Sequence, residues 1–555
     1  MSWRLVSMVV SAVLVVPVVA GLVGVIVPAM GYFPALGARE PGFQVLAAFA
    51  AEPGIARSIA VSALSGLVAT AVSLVLTALI LAAAFATRTL GVAERLLAPI
   101  LSVPHAAAAL GFVFLFAPSG FLLRLVSPWA TGLDVPPDIA ILRDPWGWSL
   151  AAALVVKETP FLFLMALAAL RQVRAGERAA VARTLGYGPM TAFLHAVWPL
   201  VYRQIRLPVL ATLAFAVSVV DMALILGPTR PAPLSVRIVG WLQSTDLADW
   251  MIGSAGAFAM AVLAGATICL WLAAEVAVGA VMRSAALSGA RLTRDGAVRT
   301  LVLSAAGLGV AVVFCGFGGL IVQSFAGYWP FPQTWPGTMN LSAWTQRLPM
   351  AAGTLQATLL LALGATVVAL PLAVLLLEAQ RRGARVWWLI YAPLIAPQVA
   401  FLFGLNVLAI AAGLQPGAVA VTLCHALFAL PYALIALSGP WQALDPRYEA
   451  VAASVGAGPV RRLFTVRLPM LFPPLCVAAA LCVAVSVGLY LPTQLIGGGR
   501  VVTVTTEAVT AASGGDRRLI GIFASLQLVL PFAAFALARG APRLVRGVRR
   551  AGFAA

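Results

Sequence analysis

The chain has 555 residues, of which 62% are hydrophobic and 10% are charged, and its formal net charge is +18. Soluble domains carry roughly a quarter charged residues, so this composition, with a mean hydropathy of +1.02, excludes a soluble globular protein. The positive charge would suit nucleic acid, but the basic residues fall in alternate connecting segments, as they do in membrane proteins. Nucleic acid is therefore not an expected partner.

Apolar runs of about 20 residues, the length that crosses a hydrocarbon core, recur along the whole chain. They predict an all-α integral membrane protein with about twelve transmembrane helices, at residues 7–29, 59–86, 96–117, 149–170, 207–228, 252–281, 300–325, 351–377, 387–411, 417–438, 471–491 and 519–538. The first run is too long for the apolar core of a signal peptide, so we expect an uncleaved first helix.

Arginines mark one face of the predicted bundle. With the N-terminus in the cytoplasm, most arginines lie in cytoplasmic connections, among them Arg171, Arg174 and the run Arg381, Arg382 and Arg385. The positive-inside rule therefore predicts a multi-pass protein with both termini in the cytoplasm. The lipid bilayer, with its anionic headgroups, is the partner that this distribution indicates.

A pattern of glycines and prolines occurs twice, with an offset of 270 residues between the copies. Gly186-Tyr-Gly188-Pro189 is followed by Pro199, and Gly456-Ala-Gly458-Pro459 is followed by Pro469. Each copy follows the fourth helix of a predicted set of six, so the sets are parallel, pseudosymmetric repeats. The predicted domains are a first half at 1–285 (core about 57–281), a cytoplasmic linker at 286–299 and a second half at 300–555 (core about 351–538).

Each copy predicts a helix-turn element at the cytoplasmic face. The glycines permit a tight turn, the proline after them favours a first helical turn, and the last proline disfavours continuation of the helix. Phe193 in one copy, and Leu463 and Phe464 in the other, would then form an apolar ridge that inserts into a partner's groove. The alternative is an ordinary loop helix on the membrane surface, which would be the better interpretation of a single copy.

Both copies resemble the EAA signature of ABC importer permeases, which comprises an acidic residue, two alanines, a glycine and a distal Leu-Pro. In that family the segment is the coupling helix that docks on the ATPase subunit. The motif's usual Glu position holds Ala180 and Ala450, with acids nearby. The resemblance implies an ATPase-coupling role for Glu177, Gly186, Gly188, Pro189, Phe193, Pro199, Glu449, Gly456, Gly458, Pro459, Phe464 and Pro469.

The resemblance covers nearly the whole chain, which looks like the fused, type I permeases of thiamine and ferric-iron importers, and more narrowly like a thiamine-type branch. It implies a permease of the bacterial cytoplasmic (inner) membrane that works with a cytoplasmic ABC ATPase dimer. A periplasmic or extracellular solute-binding protein would deliver the cargo. Thiamine or another cation is the cargo that this resemblance and an intramembrane Asp221 would suit.

Catalytic and cofactor motifs are missing from the sequence. Its one lysine, Lys157, is not part of a P-loop, so ATP would be bound and hydrolysed by a separate subunit. The sequence contains no H-E-x-x-H and no C-x-x-C, and we propose no metal or disulfide. We therefore interpret the chain as a non-catalytic transport subunit; the alternative is an ion-coupled secondary transporter.

Ionisable residues inside predicted spans are candidates for the translocation pathway because they are costly in a membrane. Asp221 lies in the fifth span, and the matching stretch of the second half offers Tyr490. Lys157 and Glu158 interrupt the fourth span just before Pro160. The structural alternatives are a packing hydrogen bond to a neighbouring helix for Asp221 and pairing with other helices for Lys157 and Glu158. His105 and His425 are expected to be hydrogen-bonded core residues.

Overall fold

The computed structural model describes residues 3–34, 37–289, 291, 293–383 and 391–552. These residues form helices joined by turns and loops, with two isolated bridges, Phe33 to Ala38 and Ala326 to Met339. In chain order the helices are α1 (Trp3–Ala29), α2 (Gln44–Ala51), α3 (Ile55–Ala84), α4 (Thr89–Ser102), α5 (His105–Phe116), α6 (Phe121–Val126), α7 (Trp148–Leu170), α8 (Ala175–Thr184), α9 (Pro189–Ala196), α10 (Trp198–Ser218), α11 (Asp221–Leu226), α12 (Leu234–Leu242), α13 (Leu247–Leu287), α14 (Gly296–Phe325), α15 (Ser342–Arg381), α16 (Ala392–Ile395), α17 (Gln398–Ala411), α18 (Ala418–Ala443), α19 (Pro446–Ser454), α20 (Pro459–Arg462), α21 (Leu468–Met470), α22 (Phe472–Gly488), α23 (Leu491–Gly497), α24 (Val504–Gly514) and α25 (Arg517–Gly552). A π-helical turn, Leu463–Arg467, joins α20 to α21. The predicted all-α class is confirmed.

Ten of the described helices are long and apolar enough to cross a membrane, or eleven if the bent pair Pro459–Met470 and Phe472–Gly488 is one span. The sequence predicted about twelve. In the described part of the predicted span 387–411, the structure has the four-residue helix α16 and the 14-residue helix α17, while residues 384–390, including Arg385, lie outside the described residues. An apolar run indicates only that its side chains lie in an apolar environment. A short helix buried among other helices provides that environment as well as a membrane-spanning helix does.

Pro104 divides the predicted third span into α4 and α5. The proline lacks an N–H and follows Val103 in an extended conformation, so the helix stops at Ser102 and restarts at His105. The apolar stretch that could cross the membrane then runs from His105 to Val126. The span is therefore shifted toward the C-terminus relative to the predicted 96–117.

Two long helices, α1 and α14, each pack against a helix that is distant in sequence. Helix α1 crosses α17 at Gly21 and Gly404, where neither glycine leaves room for a Cβ. Helix α14 crosses α5 at Gly316 and Gly111, and a Cβ on Gly316 would lie 3.1 Å from the Gly111 carbonyl oxygen. Small residues permit such close helix crossings in membranes. These two crossings interlock the N-terminal and C-terminal parts of the bundle.

The 270-residue offset of the sequence pattern recurs in the helix starts. Helices α7, α9, α11, α12 and α13 begin at residues 148, 189, 221, 234 and 247, and α18, α20, α23, α24 and α25 begin at 418, 459, 491, 504 and 517. The helix breaks after Ser218 and after Gly488 share this register. The division of the chain into two halves at 286–299 stays a prediction. A duplication of one half would explain why the helix starts share this register.

Both copies of the pattern lie at the same end of the bundle. Helix α14 begins beside the first copy, where Asp295 contacts α9, and runs to the opposite end. Helix α15 returns from there and ends at Arg381, beside the second copy. We call residues 175–199 and 445–469 the first and second paired segments, and the end that carries them the segment end. The loops 127–147 and 326–341 lie at the loop end.

Candidate functional site

The first paired segment is fixed by apolar packing. Helix α8 ends at Thr184, Gly186 adopts a φ of +92°, and α9 starts at Pro189, which is the helix-turn geometry that the sequence predicts. Phe193 on α9 is fully buried and packs against Phe85, with ring centroids 5.0 Å apart. The predicted ridge at Phe193 is therefore wrong, because this side chain anchors the segment to the bundle and does not face outward.

A residue of the connection between α13 and α14 also holds the first paired segment. The carboxylate oxygen Oδ2 of Asp295 accepts hydrogen bonds from the backbone N–H groups of Met190 at 2.7 Å and Thr191 at 3.0 Å. These groups are unpaired donors at the start of α9, so Asp295 caps that helix from a distant part of the chain. The carboxylate lies against Gly188, where an added Cβ would approach Oδ2 to 2.6 Å.

The second paired segment is held by a buried ion network. The Arg467 guanidinium contacts the carboxylates of Glu449 and Glu378, the latter at 3.1 Å, and lies over the Trp441 ring. Arg381 bridges both acids, at 3.0 Å to Glu378 and 3.1 Å to Glu449. The Arg467, Glu378 and Glu449 side chains are at most 9% exposed. The network joins three elements, α15, α19 and the π-helical turn.

The two acids that the sequence places near the motif have different environments. Glu449 is buried in the ion network although Ala450 occupies the motif's usual acidic position. Glu177 in the first segment has a 72% exposed side chain and faces Arg174 at 3.7 Å. The second segment thus contains a buried salt bridge, which is made by Glu449, the residue before the motif's usual acidic position. Glu177 in the first segment makes only an exposed ion pair.

Each paired segment exposes two apolar side chains one helical turn apart. Val181 and Leu185 are 63% and 53% exposed in the first segment, and Val451 and Val455 are 66% and 79% exposed in the second. The members of the two pairs are 270 residues apart, so they occupy the same register. Phe464 is also exposed, at 63%. The sequence reasoning overlooked these aliphatic pairs, although the repeat offset applied to α8 and α19 would have identified them.

Inside the bundle, the structure brings the predicted pathway residues together with one histidine. We call His105, Lys157, Glu158, Asp221 and Tyr490 the polar cluster. His105 Nε2 lies 3.7 Å from Glu158 Oε1, and Asp221 interacts electrostatically with His105, Lys157 and Tyr490. Residues from α5, α7, α11 and the break before α23 thereby meet at one place.

Lys157 has a structural role in this cluster. Its ammonium group donates hydrogen bonds to the backbone carbonyls of Ile100 at 3.3 Å, Leu101 at 2.8 Å and Val103 at 2.5 Å. These carbonyls lie at the end of α4, where helical partners are absent, and a cation is favourable there. The contacts agree with the structural alternative that the sequence left open for Lys157.

The carboxylates of the cluster have fewer partners. Among the described residues, Glu158 Oε1 accepts no hydrogen bond, although Glu158 is only 5% exposed. Asp221 is 9% exposed and accepts from the N–H of Met222 at 2.9 Å, where α11 begins after the break at Val219 and Val220. Two buried carboxylates thus face one buried ammonium, and the imidazole of His105 lies beside them.

The two predicted core histidines differ. His425 is buried and its ring nitrogens contact Ser486 Oγ at 2.7 Å and Thr493 Oγ1 at 2.9 Å, which confirms its assignment as a hydrogen-bonded core residue. The His105 side chain is 29% exposed and makes no hydrogen bond within the described chain; it lies beside Glu158 and packs on Phe215. The prediction for His105 was therefore wrong. No local signal separated the two, because each is one histidine in an apolar run.

These features define a multi-span helical membrane protein with two register-matched segments at one end and a buried polar cluster between its helices. No family model matches the chain. Over 452 residues it is 29% identical to the inner membrane ABC transporter permease protein YnjC of Escherichia coli (strain K12), and the match covers 81% of each chain. By this comparison, the chain is similar to an ABC transporter permease of the inner membrane.

Proposed function

We propose that this chain is the membrane-spanning subunit of an ABC importer, with its segment end in the cytoplasm. The observation that carries the proposal is the pair of matched apolar sites, Val181 with Leu185 and Val451 with Val455, each exposed at the end that also bears the arginines. Exposed apolar pairs at equal register suit two identical grooves. An ATPase dimer has two such grooves, and the similarity to YnjC, itself named an ABC transporter permease, supports this partner.

The paired segments would transmit the closure of the ATPase dimer to the bundle. Each segment is tied to long helices, the first to α14 through Asp295 and the second to α15 through Glu378. A displacement of either segment is therefore passed to a helix that extends toward the loop end. Alternation between inward-facing and outward-facing arrangements would follow from the differential affinity of the ATPase for the two states.

The polar cluster is the proposed point on the pathway where cargo is recognised. Its helix breaks before Asp221 and at Tyr490 expose backbone groups inside the bundle, as do discontinuous helices that bind solutes in other transporters. The excess negative charge of Asp221 and Glu158 over Lys157 favours a cation such as thiamine. A solute-binding protein outside the membrane would deliver it, and ATP would be bound by the partner subunit.

The ATPase contact is tested by affinity purification of the full chain from its native membrane. We expect a P-loop ATPase to co-purify with the wild type and to be lost from a Val181→Asp, Val451→Asp double variant, because a buried unpaired charge opposes docking. Leu287→Asp is the matched control, since Leu287 is 87% exposed outside the paired segments. Retention of the ATPase by the double variant would contradict the proposal.

The pathway assignment is tested by uptake. Asp221→Asn should lower uptake at least about tenfold if the carboxylate contacts a cationic cargo, because hydrogen bonds to charged groups contribute about 1.5 to 3 kcal/mol. ATPase co-purification should be unchanged. Uptake that continues without any ATPase and depends on an ion gradient would instead favour the secondary transporter, with Asp221 and Glu158 as its coupling site.

A further inference from the structure

A cavity of about 610 Å³ lies at the loop end of the bundle, away from the polar cluster. Its walls come from α5 and α6 on one side and from the end of α14, the loop that follows it and the start of α25 on the other. No member of the polar cluster lines it. The volume is within the range of small-molecule sites, about 300 to 1,000 Å³. The cavity is therefore a candidate site separate from the proposed pathway.

The cavity concentrates positive charge. Arg124, Arg517 and Arg518 line it together with one acid, Asp516. Arg124 is 3% exposed and interacts repulsively with Arg517. Among the described residues, none of these three guanidinium groups has a carboxylate within 4.0 Å. Like charges held this close in partly buried surroundings are stabilised by a bound anion.

Backbone carbonyls and one hydroxyl group fix the positions of Arg124 and Arg517 without neutralising their charges. Arg124 donates to the backbone carbonyls of Ser119 at 2.9 Å and of Pro330 and Gln333 at 2.8 Å each. Arg517 donates to Ser119 Oγ at 2.6 Å. Asp516 Oδ1 accepts from backbone N–H groups at the start of α25, and its Oδ2 lies 4.0 Å from Arg347. Asp516, the one acid among the described residues that line the cavity, is thus already engaged.

The remaining wall is apolar and aromatic, and the cavity lies beside a helix that faces lipid. Val113, Phe114, Phe121 and Trp329 are among the residues that line it. Helix α14 has only 17% of its most apolar window buried, and Tyr328 just beyond it is 80% exposed. Exposed aromatic residues next to an apolar helix mark the headgroup level of a bilayer. The cavity therefore combines a cationic rim with an apolar wall at the membrane interface.

We propose that this cavity binds the phosphate-bearing headgroup of an anionic phospholipid, with the adjoining acyl chain against α5 and α14. The arginines face the phosphate, which guanidinium groups recognise through paired hydrogen bonds. The apolar wall favours a phospholipid over free phosphate, because inorganic phosphate has no acyl chain that could pack against it. The bound lipid joins α5 and α6 to α14 and α25 at the loop end.

Native mass spectrometry of the full chain in neutral detergent tests the proposal. We expect phosphatidylglycerol to bind the wild type more tightly than phosphatidylcholine. The affinity should fall about fivefold for each arginine removed, in Arg518→Gln and in the Arg517→Gln, Arg518→Gln double variant. The matched control is the Arg39→Gln, Arg230→Gln double variant, since both arginines are exposed at the loop end outside the cavity and should leave the affinity unchanged.

Three results would overturn the proposal: equal affinity for the two lipids, equal affinity of wild type and Arg518→Gln, or saturable binding of inorganic phosphate that displaces phosphatidylglycerol. The last result would assign the cavity to a soluble anion. Arg518→Gln keeps the test valid if the double variant fails to fold, because the Arg518 side chain makes no hydrogen bond or ion pair within the described chain.

Discussion

The two paired segments have matched sequences and register but are held by different forces. The first is anchored by a buried aromatic side chain, Phe193, and capped by Asp295 from the connection between α13 and α14. The second is anchored by the Glu378, Arg467 and Glu449 ion network, and nothing lies within 4 Å of a Cβ added at Gly458. A duplicated shape can therefore be kept while the interactions that support it diverge.

The difference has a physical consequence for coupling. Apolar packing is non-directional, so the first segment can shift slightly against α3 and keep its contacts. A buried ion network is strongly directional, because each carboxylate must stay paired. The second segment is therefore expected to move as one body with α15, while Asp295 ties the first to α14.

Removal of Arg467 should have the largest effect. Arg467→Met leaves Glu378 and Glu449 with only Arg381 and Arg382 as partners, and breaking such a buried pair costs about 3 to 5 kcal/mol. The loss should appear as a lower melting temperature in detergent. The triple variant Glu378→Leu, Glu449→Leu, Arg467→Met should recover most of it. An unchanged melting temperature in Arg467→Met would mean that the network does not hold the second segment.

Truncation of an aromatic residue should have the second-largest effect, and this effect should differ between the two segments. Phe193→Ala should cost about 3 to 5 kcal/mol, because it leaves a cavity against Phe85 in the core. Phe464→Ala should change the free energy of unfolding by less than about 0.5 kcal/mol, because Phe464 is 63% exposed. Equal losses in the two variants, measured by denaturant unfolding, would contradict the difference in anchoring.

A methyl group at the matched glycines gives the closest comparison, since both have ordinary negative φ values of −63° and −66°. Gly188→Ala should cost about 1 to 3 kcal/mol, because the new Cβ would meet Asp295 Oδ2 at 2.6 Å and the Thr293 carbonyl oxygen at 2.9 Å. Gly458→Ala should stay within about 0.5 kcal/mol. Thermal unfolding of both variants checks this, and a larger loss at Gly458 would contradict it.

Removal of the Asp295 charge should have the smallest effect. Asp295→Asn keeps an acceptor but loses the charge at the start of α9, which should cost about 1 kcal/mol. Asp445→Asn is the control, because Asp445 is an exposed cap that accepts one bond, from Arg447 N–H at 2.9 Å. It should lose only a few tenths of a kcal/mol. Faster hydrogen exchange confined to α9 in Asp295→Asn would support the cap.

Part of the site could be predicted from the sequence because its signals are local. Gly186 and Gly456 both adopt positive φ, at +92° and +80°, at the turns that the glycine pattern predicts. The sequence identified four of the five members of the polar cluster: three are charged residues, which stand out in an apolar run, and the fourth, Tyr490, lies in the stretch of the second half that matches Asp221. His105 was missed as a member because its neighbour Glu158 is distant in sequence.

By itself, the sequence determined the membrane class, the 270-residue offset and the concentration of arginines at one end, because hydropathy, turn chemistry and charge act over a few residues. Only the tertiary structure decided that Glu378 meets Arg467, that Phe193 faces inward and that Val181 and Val451 face outward. The helical period fixes which residues share a face, but the orientation of each helix depends on its neighbours. In a chain that is apolar on all sides, that choice is made by packing.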